Sequence, residues 1–123
     1  MNGDLKIIDF EYAIPTTRGV DLANYFCEFC SDYDSENAHD MDFTLYPFFE
    51  DRAKIISSYL GSADSLTIAE VDREINAYLP FVHLQWAHWG IVKSLESHLS
   101  SFDYIRFAYN RFKQFITLRH INS

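Results

Sequence analysis

The run Ile7-Ile8-Asp9-Phe10-Glu11-Tyr12-Ala13 passes from apolar side chains into two carboxylates and a phenol. An apolar run ending in Asp has the pattern of a buried strand that delivers a carboxylate to a site. Such a carboxylate either holds a magnesium ion bridging nucleotide phosphates or caps the turn that follows. Farther along, Trp86 and Trp89 stand three apart, a spacing that places both on one helix face. A quaternary ammonium group donates no hydrogen bonds and is held best against aromatic faces, with Trp the strongest. Tyr12 and Tyr33 could add walls to such a cage, and Glu28 a negative field. Ordinary core packing would use the same Trp spacing.

Other chemistry-bearing residues assemble less well. Cys27 and Cys30 have C-x-x-C spacing, but no second pair lies nearby to complete a zinc site. The strand pattern of a redox pair is also missing, so two buried free thiols are expected. The histidines at 39, 83, 88, 98 and 120 form no metal-binding or catalytic motif, and no catalytic residue is assigned within this chain. Arg18 and Asp21 are expected to be structural, bracing the loop after Asp9 as an ion pair or through a helix cap.

The elements that must position these residues are mostly helices. The 123 residues suit one domain, and an apolar share of 48% suffices for a core. The aromatic share, 17%, is high. A net charge of −8 disfavours nucleic acid and anionic membranes as partners and suits a cationic small ligand. No apolar stretch is long enough for a membrane span, and no signal peptide is evident in residues 1–6. With two cysteines, a reduced cytoplasmic setting is expected.

Residues 5–10 read as one buried strand. Residues 13–19 read as a loop, with Asp21 capping a helix to about Asp32. Residues 31–44 hold five acids and read as a solvated loop. Pro47 and Gly61 bracket a helix. Thr67 and Glu70 form a capping box for a helix from about Ile68 to Leu99, kinked at Pro80. A last helix spans about Phe102 to Leu118. A lone strand needs partners for its backbone groups, so residues 5–10 should pair with something beyond the elements read here.

Residues 9–33, DFEYAIPTTRGVDLANYFCEFCSDY, resemble the choline/ethanolamine kinases. The matching runs are Asp9-Phe10-Glu11-Tyr12, Arg18-Gly19-Val20-Asp21-Leu22-Ala23-Asn24, Phe26-Cys27-Glu28 and Asp32-Tyr33. A second match is the Trp86-x-x-Trp89 pair within residues 83–94. Residues 34–66 match loosely, and Ile14 to Thr17 and Tyr25 depart from the pattern. The resemblance implies that Asp9 is a magnesium ligand. It places Glu11, Tyr12, Glu28, Tyr33, Trp86 and Trp89 in or beside the substrate pocket, with Phe107 as an aromatic residue closing it.

The chain holds no Gly-rich phosphate loop, no paired strand Lys and helix Glu, and no catalytic loop with a base Asp and a metal-binding Asn. In the resembling family these precede the Asp-Phe-Glu-Tyr run. The whole chain, 1–123, is therefore expected to be the C-terminal part of a choline/ethanolamine kinase domain, a fragment without the N-lobe and catalytic loop. The expected fold is mainly α, the helical part of a protein-kinase-like C-lobe with one N-terminal β-strand. The implied function is ATP- and Mg2+-dependent phosphorylation of choline or ethanolamine in phospholipid head-group synthesis, with a homodimer as one option for the complete enzyme. The chain alone is expected to be inactive. The alternative is an inactive helical module for protein interaction or ammonium binding.

Overall fold

The computed structural model describes residues 3–96 and 100–121. Four α-helices carry the fold: α1 (Arg18–Glu28), α2 (Phe49–Leu60), α3 (Ser65–Glu96) and α4 (Tyr104–Ile121). A 3₁₀ turn, Phe43–Leu45, precedes α2. At 32 residues, α3 is the axis on which α1, α2 and α4 all pack.

Residues 5–10 do not form the expected strand. They have no regular structure, and Leu5, Ile7 and Ile8 are 100%, 82% and 78% exposed. The reason is the one the sequence anticipates: a strand's N–H and C=O groups need a neighbouring strand, and the described residues supply none. The single β-bridge among them joins Ser31 and Met41.

Helix α1 buries Gly19, Leu22, Ala23, Phe26 and Cys27, one stripe at helical spacing. Its cap is Thr17, whose side chain accepts from the Val20 N–H, so Asp21 lies in the first turn rather than capping. Arg18 reaches α3 instead of Asp21, bonding Glu74 at 2.9 Å. A Cβ on Gly19 would stand 2.7 Å from Tyr78, so only glycine lets α1 lie this close to α3.

The segment after α1 is more ordered than its five acids suggest. Asp42 donates its N–H to the Cys30 carbonyl at 2.8 Å and caps the 3₁₀ turn with its side chain. Asp40 accepts from Arg106 Nη2 (2.8 Å) and Asn110 Nδ2 (2.9 Å) on α4.

Helix α2 ends as expected at Gly61, whose φ of 62° is left-handed. Arg52 forks onto the Asp72 carboxylate of α3 at 2.7 and 3.0 Å and donates to the Pro47 carbonyl. Asp64, not Thr67, caps α3: it accepts from the Thr67 N–H at 2.8 Å and from the Thr67 hydroxyl. The helix runs through Pro80 as one element to Glu96. The expected end at Leu99, like His98, lies outside the described residues. Ala23, Phe26, Ile56, Val71, Ile75 and Val82 form the centre of the core. At Gly90 a Cβ would meet Ala108 Cβ and the Tyr104 carbonyl, each at 3.0 Å, so α3 and α4 cross there nearly backbone to backbone.

Candidate functional site

The close crossing at Gly90 sets the geometry beside it. Trp86 and Trp89, within a turn of Gly90 on α3, face the start of α4. Their rings meet edge to face, with centroids 5.4 Å apart. Trp89 lies 5.6 Å from the Tyr104 ring and 5.8 Å from the Phe107 ring, both steep. Phe102 joins the same group, 4.9 Å from Tyr104 and 5.6 Å from Phe107. The Trp86 indole N–H donates to Asn24 Oδ1 of α1 at 2.7 Å, which fixes the ring's plane.

These rings wall an open cavity of about 230 Å³, lined by Glu28, Tyr33, Trp86, Trp89, Phe102, Tyr104, Phe107 and Arg111. Glu28 comes from the last turn of α1. The Tyr33 hydroxyl donates to its carboxylate at 2.9 Å. Burial pushes the Tyr33 phenol above its usual pKa, and the Glu28 charge adds to the shift, so Tyr33 stays a donor. The aromatic rings and the Glu28 carboxylate suit a compact cation that makes no hydrogen bonds, while the lining also includes the Arg111 guanidinium.

A second, larger cleft of about 590 Å³ shares both tryptophans and opens toward residues 12–24. Tyr12 lines it. The Tyr12 hydroxyl accepts from the Trp89 indole N–H at 2.9 Å, and its ring stands edge-on to Trp86 at 6.2 Å.

The sequence-derived set thus divides. Glu28, Tyr33, Trp86, Trp89 and Phe107 line one cavity. Tyr12 braces the tryptophans from the neighbouring cleft. Asp9 and Glu11 are exposed on the N-terminal segment and line neither space. Asp9 has a φ of 65°, a left-handed conformation that Asp adopts more readily than most residues.

Sequence reasoning passed over Phe102, Tyr104 and Arg111. Arg111 had a legible signal, since it stands one helical turn after Phe107 and so shares its face. Phe102 precedes α4 and carried no periodic signal. The cysteines behave as expected, both free and buried. Burial raises both thiols, Cys30 to about 11. His83 is buried too, its pKa depressed to about 3 by burial and by the Arg111 charge.

Comparison with known proteins adds an independent line. The family model described as choline/ethanolamine kinase matches residues 1–116. A "Probable choline kinase 3" of Arabidopsis thaliana is 39% identical over 115 residues, covering 90% of this chain and 33% of that protein. A "Probable ethanolamine kinase" of the same plant is 34% identical over 116 residues, covering 90% of this chain and 29% of that protein. "Ethanolamine kinase 2" of Homo sapiens is 27% identical over 124 residues, covering 97% of this chain and 30% of that protein. The chain spans about a third of the length of the curated relatives it matches. With that match along nearly its whole length and an aromatic cavity between α3 and α4, the chain belongs to the choline/ethanolamine kinase family.

Proposed function

We propose that this chain supplies the amino-alcohol pocket of a kinase that transfers phosphate from ATP to the hydroxyl of choline or ethanolamine. One observation carries the reading. The cavity of about 230 Å³ is walled by two indoles and further aromatic rings, with Glu28 as its carboxylate. The ammonium group packs against the rings, and Glu28, braced by Tyr33, contributes the opposing charge. Tyr12 keeps Trp89 in place through the indole hydrogen bond. A cytoplasmic setting and a role in phospholipid head-group synthesis follow from the same proposal.

Asp9 is proposed as one ligand of a magnesium ion. Mg2+ takes an octahedron of oxygens. Among the described residues no cluster of three or more His, Cys, Asp or Glu offers a metal site. The donor set of the described residues is therefore short of a complete site.

The test is direct, because the two tryptophans of the chain both line the cavity. Their fluorescence is titrated with choline and, separately, with tetramethylammonium, against sodium chloride at matched ionic strength. A saturable change with both cations is expected. A response no different from sodium chloride removes the cage.

A further inference from the structure

The cavity's lining includes a buried cation, Arg111, that has no ion-pair partner among the described residues. Arg111 is 1% exposed. Its Nη1 lies 3.1 Å from His83 Nδ1, and its guanidinium carbon lies 5.3 Å from the Phe107 ring centroid. The Nε is enclosed and has no hydrogen-bond partner among the described residues. None of the ion pairs among the described residues includes Arg111. A buried guanidinium without a counter-charge is costly, and proteins rarely leave one so.

The neighbouring groups do not compensate it. His83 stays neutral, so its Nδ1 accepts from Arg111 and its proton sits on Nε2, 3.8 Å from Cys27 Sγ. Cys27 stays a thiol, its ionisation opposed by burial. Glu28 lines the same cavity, but its recorded hydrogen bond is to Tyr33. The cavity therefore presents a carboxylate and a guanidinium that are not paired with each other. That is the charge pattern of a host for a dipolar guest.

We propose, resting on the ammonium-cage reading, that the cavity takes carboxylate zwitterions: a quaternary ammonium against the rings and Glu28, with a carboxylate a few bonds away on Arg111. A zwitterion of this kind without a free hydroxyl cannot accept a phosphoryl group. It competes with the amino alcohol for the cage and leaves unchanged.

The experiment titrates the tryptophan fluorescence of the 123-residue chain with choline, tetramethylammonium and glycine betaine at one ionic strength. Glycine betaine should bind about tenfold or more tightly than choline, the usual gain from a hydrogen bond to a buried charged group. In Arg111→Met that remains folded by circular dichroism, the ratio of zwitterion to choline affinity should fall to about one. Should that variant unfold, the wild-type ratio decides alone. Choline binding as tightly as glycine betaine overturns the anion subsite and leaves the cage standing. A ratio that persists in folded Arg111→Met overturns it too. Absence of any saturable response to choline and tetramethylammonium removes the cage, and the subsite with it.

Discussion

Trp89→Ala separates a binding wall from a packing residue. Trp89 touches Trp86, Tyr104 and Phe107 by ring edges and donates its indole N–H to Tyr12. If its ring faces a bound ammonium, removing it loses about 1 to 2 kcal/mol of cation–π attraction. At about 1.4 kcal/mol per decade, the choline Kd should rise roughly five- to thirtyfold. The packing loss acts on a different quantity. The side chain is only partly buried, so the destabilisation should fall below the ~3 to 5 kcal/mol of a fully buried aromatic truncation. Isothermal titration with choline gives the first number and a thermal melt the second. Trp89→Phe, which keeps a weaker π face and loses the Tyr12 hydrogen bond, should lie between wild type and Ala in Kd. A lowered melting temperature with an unchanged choline Kd in the folded protein would refute the cage role and return Trp89 to the core.

Other expectations rest on separate parts of the structure. Glu28→Gln should weaken choline binding and flatten its salt dependence, whereas Tyr33→Phe should have a smaller effect because Glu28 keeps its charge; equal losses would contradict this order. Gly90→Val should lower the melting temperature by the equivalent of about 1 to 3 kcal/mol through overpacking at the α3–α4 crossing, where even a Cβ meets atoms at 3.0 Å. Arg52→Met leaves the buried Asp72 carboxylate without its forked partner and should cost about 3 to 5 kcal/mol in a denaturant melt. His83 sets a pH dependence. Its folded pKa, near 3, lies below the 6.5 of a free imidazole, so between these values the unfolded chain binds the extra proton. Its share of stability is full above pH ~6.5 and is lost as pH falls, by up to about 1.4 kcal/mol per pH unit. The difference between wild type and His83→Gln, measured by urea unfolding across that range, isolates the effect; a pH-independent difference would show that His83 takes up its proton equally in the folded and unfolded chain. A coupled ADP-release assay on the 123-residue chain with choline and magnesium should match the enzyme-free control, because its sequence holds no Gly-rich phosphate loop or catalytic loop.

The helices were legible where local physics decides them. The Pro47–Gly61 bracket marks α2 to within a few residues because a left-handed C-terminal glycine acts within one turn. The face shared by Trp86 and Trp89 follows from periodicity alone. Caps were harder to read, because several side chains could fill each role. Thr17 and Asp64 hold the positions expected of Asp21 and Thr67. The acids after α1 looked solvated because nothing local shows that Asp40 bonds Arg106 and Asn110, some 66 and 70 residues away. Arg111 was missed for a related reason. A lone arginine on a helix usually points to water, and only the fold shows that this one is enclosed.

The continuity of α3 through Pro80 turns the orientation of the tryptophans into a matter of angular phase. Asp72 is gripped by Arg52 at one end of the helix, and Trp86 is gripped by Asn24 nearer the other. Between them the helix is unbroken. One residue inserted between Ile75 and Trp86 would turn everything beyond it by about 100°, whereas one deleted would turn it equally the other way. Either change would swing both indoles off the α4 side without altering a single side chain of the cavity. The cage is thus specified as much by the count of residues separating Asp72 from Trp86 as by the aromatic residues themselves.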